Sequence, residues 1–181
     1  KFFIENIIKD LSYSSGLQSV ILRYFNAAGA MPDSSFGELH EPETHLIPLV
    51  IQAALGVREN IKIFGNDYDT PDGTCIRDYI HVSDISEIHF KVLAKIDRYN
   101  ISKVLNCGYG NGISVLDVAK EFKRQSKKKV NFINIPRRKG DLSKIIASNN
   151  NLLKFINWTP KYNKIEKMVK SCLIWEKKLS N

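Results

Sequence analysis

Asn26 and Gly29 stand directly after an apolar run, SVILRYF (19–25), and so at the end of a buried strand, where open α/β sheets bind ligands. Arg77 and Asp78 follow a polar turn, and Arg137, Arg138 and Asp141 surround Gly140. Guanidinium forks match phosphate oxygens bidentately, so Arg77 with Arg138 can hold a diphosphate. The competing reading is surface arginines paired with carboxylates, which are common and contribute little energy, and residue types alone favour it. Other chemistries find no support. The turn GYGNG (108–112) fits neither the dinucleotide fingerprint nor the P-loop and reads as a plain strand-to-helix turn. No serine sits in a nucleophile elbow. The four histidines are scattered without ligand spacing, so no metal site is expected.

The elements that must position these groups follow from periodicity. Phe3, Ile4, Ile7, Ile8 and Leu11 form the stripe of an amphipathic helix over 1–11, broken by Ser14, Ser15 and Gly16. A strand is predicted over 19–25, a loop over 31–44, and a helix over 46–55 that is stopped by Gly56. IKIF (61–64) predicts a short strand, and RDYIHV (77–82) an extended run with Ser83 capping the next helix. KVLNC (103–107) predicts a strand, and Ser114 with Asp117 has the spacing of a capping box before an apolar-periodic helix. A strand at 130–135, the basic turn PRRKGD (136–141) and helices near 149–155 and 164–178 complete the chain. Strands alternating with helices predict an α/β fold with parallel pairing.

The 181 residues are 43% hydrophobic and 25% charged, which excludes disorder and leaves enough chain for a sizeable core. No apolar run approaches the roughly 20 residues that span a bilayer, so no membrane partner is expected. Cys75, Cys107 and Cys172 lie in apolar segments and read as reduced thiols of a cytoplasmic protein. The net charge of +8 is concentrated C-terminally, with 17 Lys or Arg against 4 Asp or Glu from Lys120 onward. That asymmetry invites a nucleic-acid partner. The lysines instead fall on polar helix faces without interleaved aromatics, so no nucleic acid is expected.

LRYFNAAGA (22–30) and IFGNDYDTPDGTCIRDYIHVSDI (63–85) resemble the UDP-glucose 4-epimerase branch of the extended short-chain dehydrogenase/reductases. HLIPLVIQAALG (45–56), LNCGYGNGISVLDV (105–118) and PRRKGDL (136–142) continue the match in order. The resemblance implies the C-terminal part of a Rossmann-type NAD domain (1–36 and 76–112) and a smaller α/β UDP-sugar-binding domain (37–75 and 113–181). It implies the C-terminal half of such an enzyme, because KFFIEN at 1–6 matches the lysine of the family's Tyr-x-x-x-Lys pair and the residues that follow it. The tyrosine and the glycine-rich dinucleotide loop fall outside this sequence, so the chain alone is expected to be inactive and to expose faces that the other half would cover.

The implied reaction interconverts UDP-galactose and UDP-glucose through a 4-keto sugar, with NAD as cofactor and a homodimer expected for the full-length protein. Lys1 matches the catalytic lysine, which bonds the nicotinamide ribose and lowers the pKa of the tyrosine base. Phe25 matches a contact to the nicotinamide end, and Asn26 a hydrogen bond to the UDP-sugar. His45 falls where the family faces the substrate phosphates, and Lys62, Ile63 and Phe64 match the segment along the uracil. Arg77 and Arg138 match diphosphate-binding arginines, and Asp141 a residue on the ribose hydroxyls. Ile145 matches a size gate, and its bulk implies exclusion of N-acetylated sugars. The alternatives are another nucleotide-sugar reductase, such as a UDP-glucuronate epimerase or a dTDP-glucose dehydratase, and a basic non-catalytic module.

Overall fold

The structure, a computed structural model, describes residues 1–96, 102–128 and 130–179. The parts of the expected domains at 97–101, 129 and 180–181 lie outside the described residues. In chain order the elements are α1 (Phe2–Ser15), β1 (Ser19–Tyr24), β2 (Asn26–Ala28), α2 (Leu46–Ala54), β3 (Asn60–Phe64), β4 (Ile76–His81) and α3 (Val82–Ile96). They continue with β5 (Ser102–Cys107), β6 (Gly112–Ser114), α4 (Val115–Ser126), β7 (Asn131–Ile135), β8 (Lys144–Ile145), α5 (Asn150–Ile156) and α6 (Ile165–Leu179). The α/β alternation is as predicted. β1 pairs with β5, β2 with β4, β3 with β7 and β8 with β4, all parallel, while β6 runs antiparallel to β4.

Two cores hold these strands. Ile47, Val50 and Ile51 of α2 meet Val118 and Phe122 of α4 and Met168, Val169 and Leu173 of α6. The second core packs Ile80, Ile88, Val92, Leu105 and Cys107 against Leu152, Ile156 and Trp158, so α5 lies on α3 and β5. α1 buries none of its residues, and its apolar stripe is exposed, with Phe3 at 80%. The helix runs past the expected end at Leu11 through Ser15, because Gly16, at φ 70°, supplies the left-handed C-cap.

Three local expectations are corrected. The strand predicted over 19–25 is two strands: the chain leaves β5 at Tyr24, Phe25 N–H donates to the Cys107 carbonyl (3.2 Å), and β2 joins β4. Ser83 is not the cap of α3. The helix begins at Val82, and the Ser83 N–H donates to His81 Nδ1 (3.1 Å), so an imidazole supplies the acceptor. β6 and β8 carried no recognisable strand pattern, being short segments paired only to β4. By contrast, Ser114 caps α4 as predicted, its Oγ accepting from Asp117 N–H (3.0 Å), although Asp117 itself faces solvent beside Lys120.

His81 locks β4 to α6. With Nδ1 accepting from Ser83, Nε2 carries the proton and donates to Ser171 Oγ (3.2 Å), which in turn donates to the Met168 carbonyl (2.9 Å). Ala30 N–H donates to the same Oγ (3.1 Å). Gly29, at φ 89°, passes so close that a Cβ there would stand 2.5 Å from the imidazole. Burial pushes the His81 pKa down from 6.5 to about 4. Between those values the unfolded chain binds the additional proton, so stability should fall as pH drops from about 6.5 to about 4, by at most about 3 kcal/mol. Urea unfolding at pH 7.5 and pH 5 should show the loss, and His81→Gln should flatten it. An unchanged pH dependence in the variant would reject His81 as its source.

Candidate functional site

β4 places its side chains with a period of two. Asp78 and Ile80 are fully buried, while Arg77 and Tyr79 line a cleft of about 1210 Å3 bounded by the ends of β1, β2 and β3, the loop before α2 and the turn after β7. The cleft brings together Lys1, Phe25, Asn26 and His45. Lys62, Ile63 and Phe64 of β3 line it as well, with Arg77, Arg138 and Asp141. Ile145 is not among the lining residues. It stands in register with Arg77 across β4 and β8 and is 38% exposed.

The three arginines divide between the two readings of the sequence. Arg137 is a structural partner: its Nε donates to Asp67 Oδ1 (2.7 Å), its guanidinium covers the Tyr68 ring, and it holds the Asp67 carboxyl below its usual range. Arg77 donates through Nη1 to the Ile76 (2.9 Å) and Leu142 (2.8 Å) carbonyls and lies 3.6 Å from Asp141. Its reach to Leu142 fixes the turn that carries Arg138. Arg138 has no carboxylate partner among the described residues, and its guanidinium sits 3.7 Å above the Phe64 ring centre. Stacking holds the fork in the cleft while leaving its N–H donors available for an anion.

Asp78, behind Arg77, is the main group that sequence reasoning undervalued. Its Oδ1 accepts from Tyr109 N–H (3.0 Å), and its Oδ2 from Gly110 N–H (2.9 Å) and Ala147 N–H (3.1 Å). The GYGNG turn is thus a cradle for a buried carboxylate, and a Cβ at Gly108 would stand 2.7 Å from Oδ2. Burial raises the Asp78 pKa despite these donors. Tyr79 was also missed: it lines the cleft together with Asn26, and burial pushes its pKa up to about 12. The alternation of RDYIHV was the available signal for both. Beneath the cleft, Asp72 accepts from the Ser114 (2.5 Å) and Thr74 (2.7 Å) hydroxyls, tying the loop before β4 to the start of α4.

His45 stands at the N-terminus of α2, with Nδ1 2.6 Å from Glu38 Oε1 and 3.3 Å from Glu43 Oε1. The His40 ring lies 5.3 Å from that of His45. The expectation that the histidines stay apart is therefore corrected: the loop folds back and juxtaposes these two. The spacing H-x-x-E-x-H was the signal.

The sequence profile of the NAD dependent epimerase/dehydratase family matches residues 1–108, and the chain belongs to that family. The chain is 43% identical to the UDP-glucose 4-epimerase of Azospirillum brasilense over 99% of its own length and 51% of the relative's. Against that of Rhizobium meliloti it is 45% identical over 90% of its length and 50% of the relative's. It spans about half the length of the curated relatives it matches. Solved structures show the same fold. The UDP-glucose-4-epimerase of Stenotrophomonas maltophila, with bound NAD and formylated UDP-arabinopyranose, superposes with a TM-score of 0.94 at 33% identity, covering 99% of this chain and 54% of that one. The Bifidobacterium longum enzyme, in complex with NAD+ and UDP, gives 0.91 at 34% identity, covering 100% and 54%.

Proposed function

We propose that the chain forms the substrate-binding half of an NAD-dependent UDP-glucose/UDP-galactose 4-epimerase. The observation that carries this reading is the cleft, lined both by Arg138, stacked on Phe64 and without a carboxylate partner among the described residues, and by Arg77 beside Asp141. In this reading Arg77 and Arg138 hold the diphosphate, Asp141 the ribose hydroxyls, and Asn26 and His45 the sugar-phosphate end. Lys62, Ile63 and Phe64 border the uracil. The residues present fit the nicotinamide end of NAD, since Phe25 lies at the mouth of two parallel strands and Lys1 lines the same cleft. The chemistry NAD supplies when bound is acceptance of hydride from the sugar C4 and its return. Lys1 lowers the pKa of the tyrosine that exchanges the 4-hydroxyl proton, and the arginines anchor the diphosphate about which the keto sugar turns.

The same reading assigns 1–36 and 76–112 to the NAD domain and 37–75 with 113–181 to the sugar-nucleotide domain. Exposed apolar residues on α1 support a homodimer of the full-length protein, testable by sedimentation. Three buried free cysteines support a cytoplasmic setting. Among the described residues no helix is long and apolar enough to cross a membrane.

Conversion of UDP-galactose to UDP-glucose by the full-length protein with NAD tests the function. Turnover of UDP-glucuronate or dTDP-glucose in place of UDP-galactose would redirect it. The 181-residue chain alone should be inactive. Ile145 acts as a size gate in this reading, so UDP-N-acetylgalactosamine should turn over far more slowly than UDP-galactose, and comparable turnover would remove that role.

A further inference from the structure

We propose that His40, Glu43 and His45 form a binding site for a divalent transition-metal ion of the zinc class at the mouth of the cleft. One donor atom from each lies within 4.8 Å of the others, close enough for small side-chain rotations to bring all three onto one ion. Two imidazoles and a carboxylate are the donor set that suits Zn2+, Ni2+ and Cu2+ rather than Mg2+ or Ca2+.

The donors are already oriented. Glu43 Oε1 accepts the N–H groups of Thr44 and His45 (both 2.7 Å), which fixes the carboxylate. His45 Nδ1 faces both carboxylates, Glu38 Oε1 at 2.6 Å and Glu43 Oε1 at 3.3 Å, so Glu38 adds negative charge beside the three donors. Trp175 Nε1–H donates to the Glu38 carbonyl (2.8 Å), anchoring the loop to α6.

Local charge favours a cation although the whole chain is basic. No Lys or Arg occurs between Arg23 and Arg58, whereas Asp33, Glu38, Glu41 and Glu43 do. The Lys178 Nζ contact to the Ser34 carbonyl (2.8 Å) lies at the other end of the loop. Three protein ligands leave a position for water or a ligand oxygen, as in open zinc sites.

Zn2+ titrated calorimetrically into the metal-free protein should bind one equivalent, and Co2+ should give the visible absorption of a low-coordinate site. His40→Ala should weaken Zn2+ binding by more than the roughly 10–100-fold that loss of an outer-shell partner costs, and His45→Ala likewise. His40 is exposed and outside the cleft lining, so its variant should keep UDP-galactose turnover while losing the ion. Zn2+ should raise the Tm of the wild type and not that of the variant. Undiminished Zn2+ affinity in His40→Ala, or no saturable binding by the wild type, would overturn the site. Because binding is read with the metal alone, its failure is distinguishable from failure of the epimerase reading.

Discussion

Asp78→Ala should destabilise the protein by about 3–5 kcal/mol, the largest loss expected from any single truncation near the cleft. The substitution leaves the N–H groups of Tyr109, Gly110 and Ala147 without their acceptor in a site that is fully buried. Each such orphan costs about 1–3 kcal/mol, reduced in sum by whatever water enters. Asp78→Asn keeps one acceptor oxygen and should recover part of the loss, whereas Asp78→Leu fills space without restoring a bond. The comparison separates polar satisfaction from packing. Urea midpoints of the three variants supply the measurement, and a change below about 1 kcal/mol for Asp78→Ala would show that the cradle contributes little. A loss of affinity for UDP should accompany the loss of stability. Asp78 ties β4, which carries Arg77, to Ala147 just beyond the turn that carries Arg138 and Asp141.

The second large effect concerns that pair and rests on the proposed epimerase. In the full-length protein, Arg138→Ala should weaken UDP-sugar binding by about 10–100-fold, the value of charge-assisted bonds to a phosphate. Arg77→Ala should cost as much or more, because it also frees the Leu142 carbonyl and loosens the turn bearing Arg138. Arg137→Ala is the internal control: its fork is already spent on Asp67 and Tyr68, so affinity should change little. Arg138→Lys keeps the charge but loses the planar fork over Phe64 and should recover only part of the affinity. Isothermal titration with UDP supplies the measurement. Equal losses at Arg137 and Arg138 would indicate a general electrostatic effect rather than a built diphosphate site.

Much of the scaffold was legible residue by residue. The alternation of strand and helix, the apolar helix faces, the Ser114 cap and the extended RDYIHV run all follow from local steric and hydrogen-bonding preferences that act within a few residues. Boundaries failed where a distant group intervened. The His81 imidazole took over the capping of α3 from Ser83, and the change of partner strand at Phe25 divided one apolar run between two sheets. β6 and β8 acquire strand geometry only by pairing with β4, which their own side chains do not announce.

The candidate site divides along the same line. Guanidinium chemistry, intrinsic to the side chain, marked Arg77 with Arg138 as able to hold a diphosphate, although residue types alone favoured surface ion pairs until the family resemblance was added. Which arginine is available for a ligand was not intrinsic. Asp67, about seventy residues away along the chain, neutralises Arg137, and Phe64 holds Arg138 by its ring face without taking its donors. The buried cradle around Asp78 and the convergence of His40 with His45 are likewise products of long-range packing. Local sequence thus set the elements and the chemical repertoire. Tertiary structure decided which charges are paired and which face the cleft, because pairing and burial depend on distances between segments that no local pattern encodes.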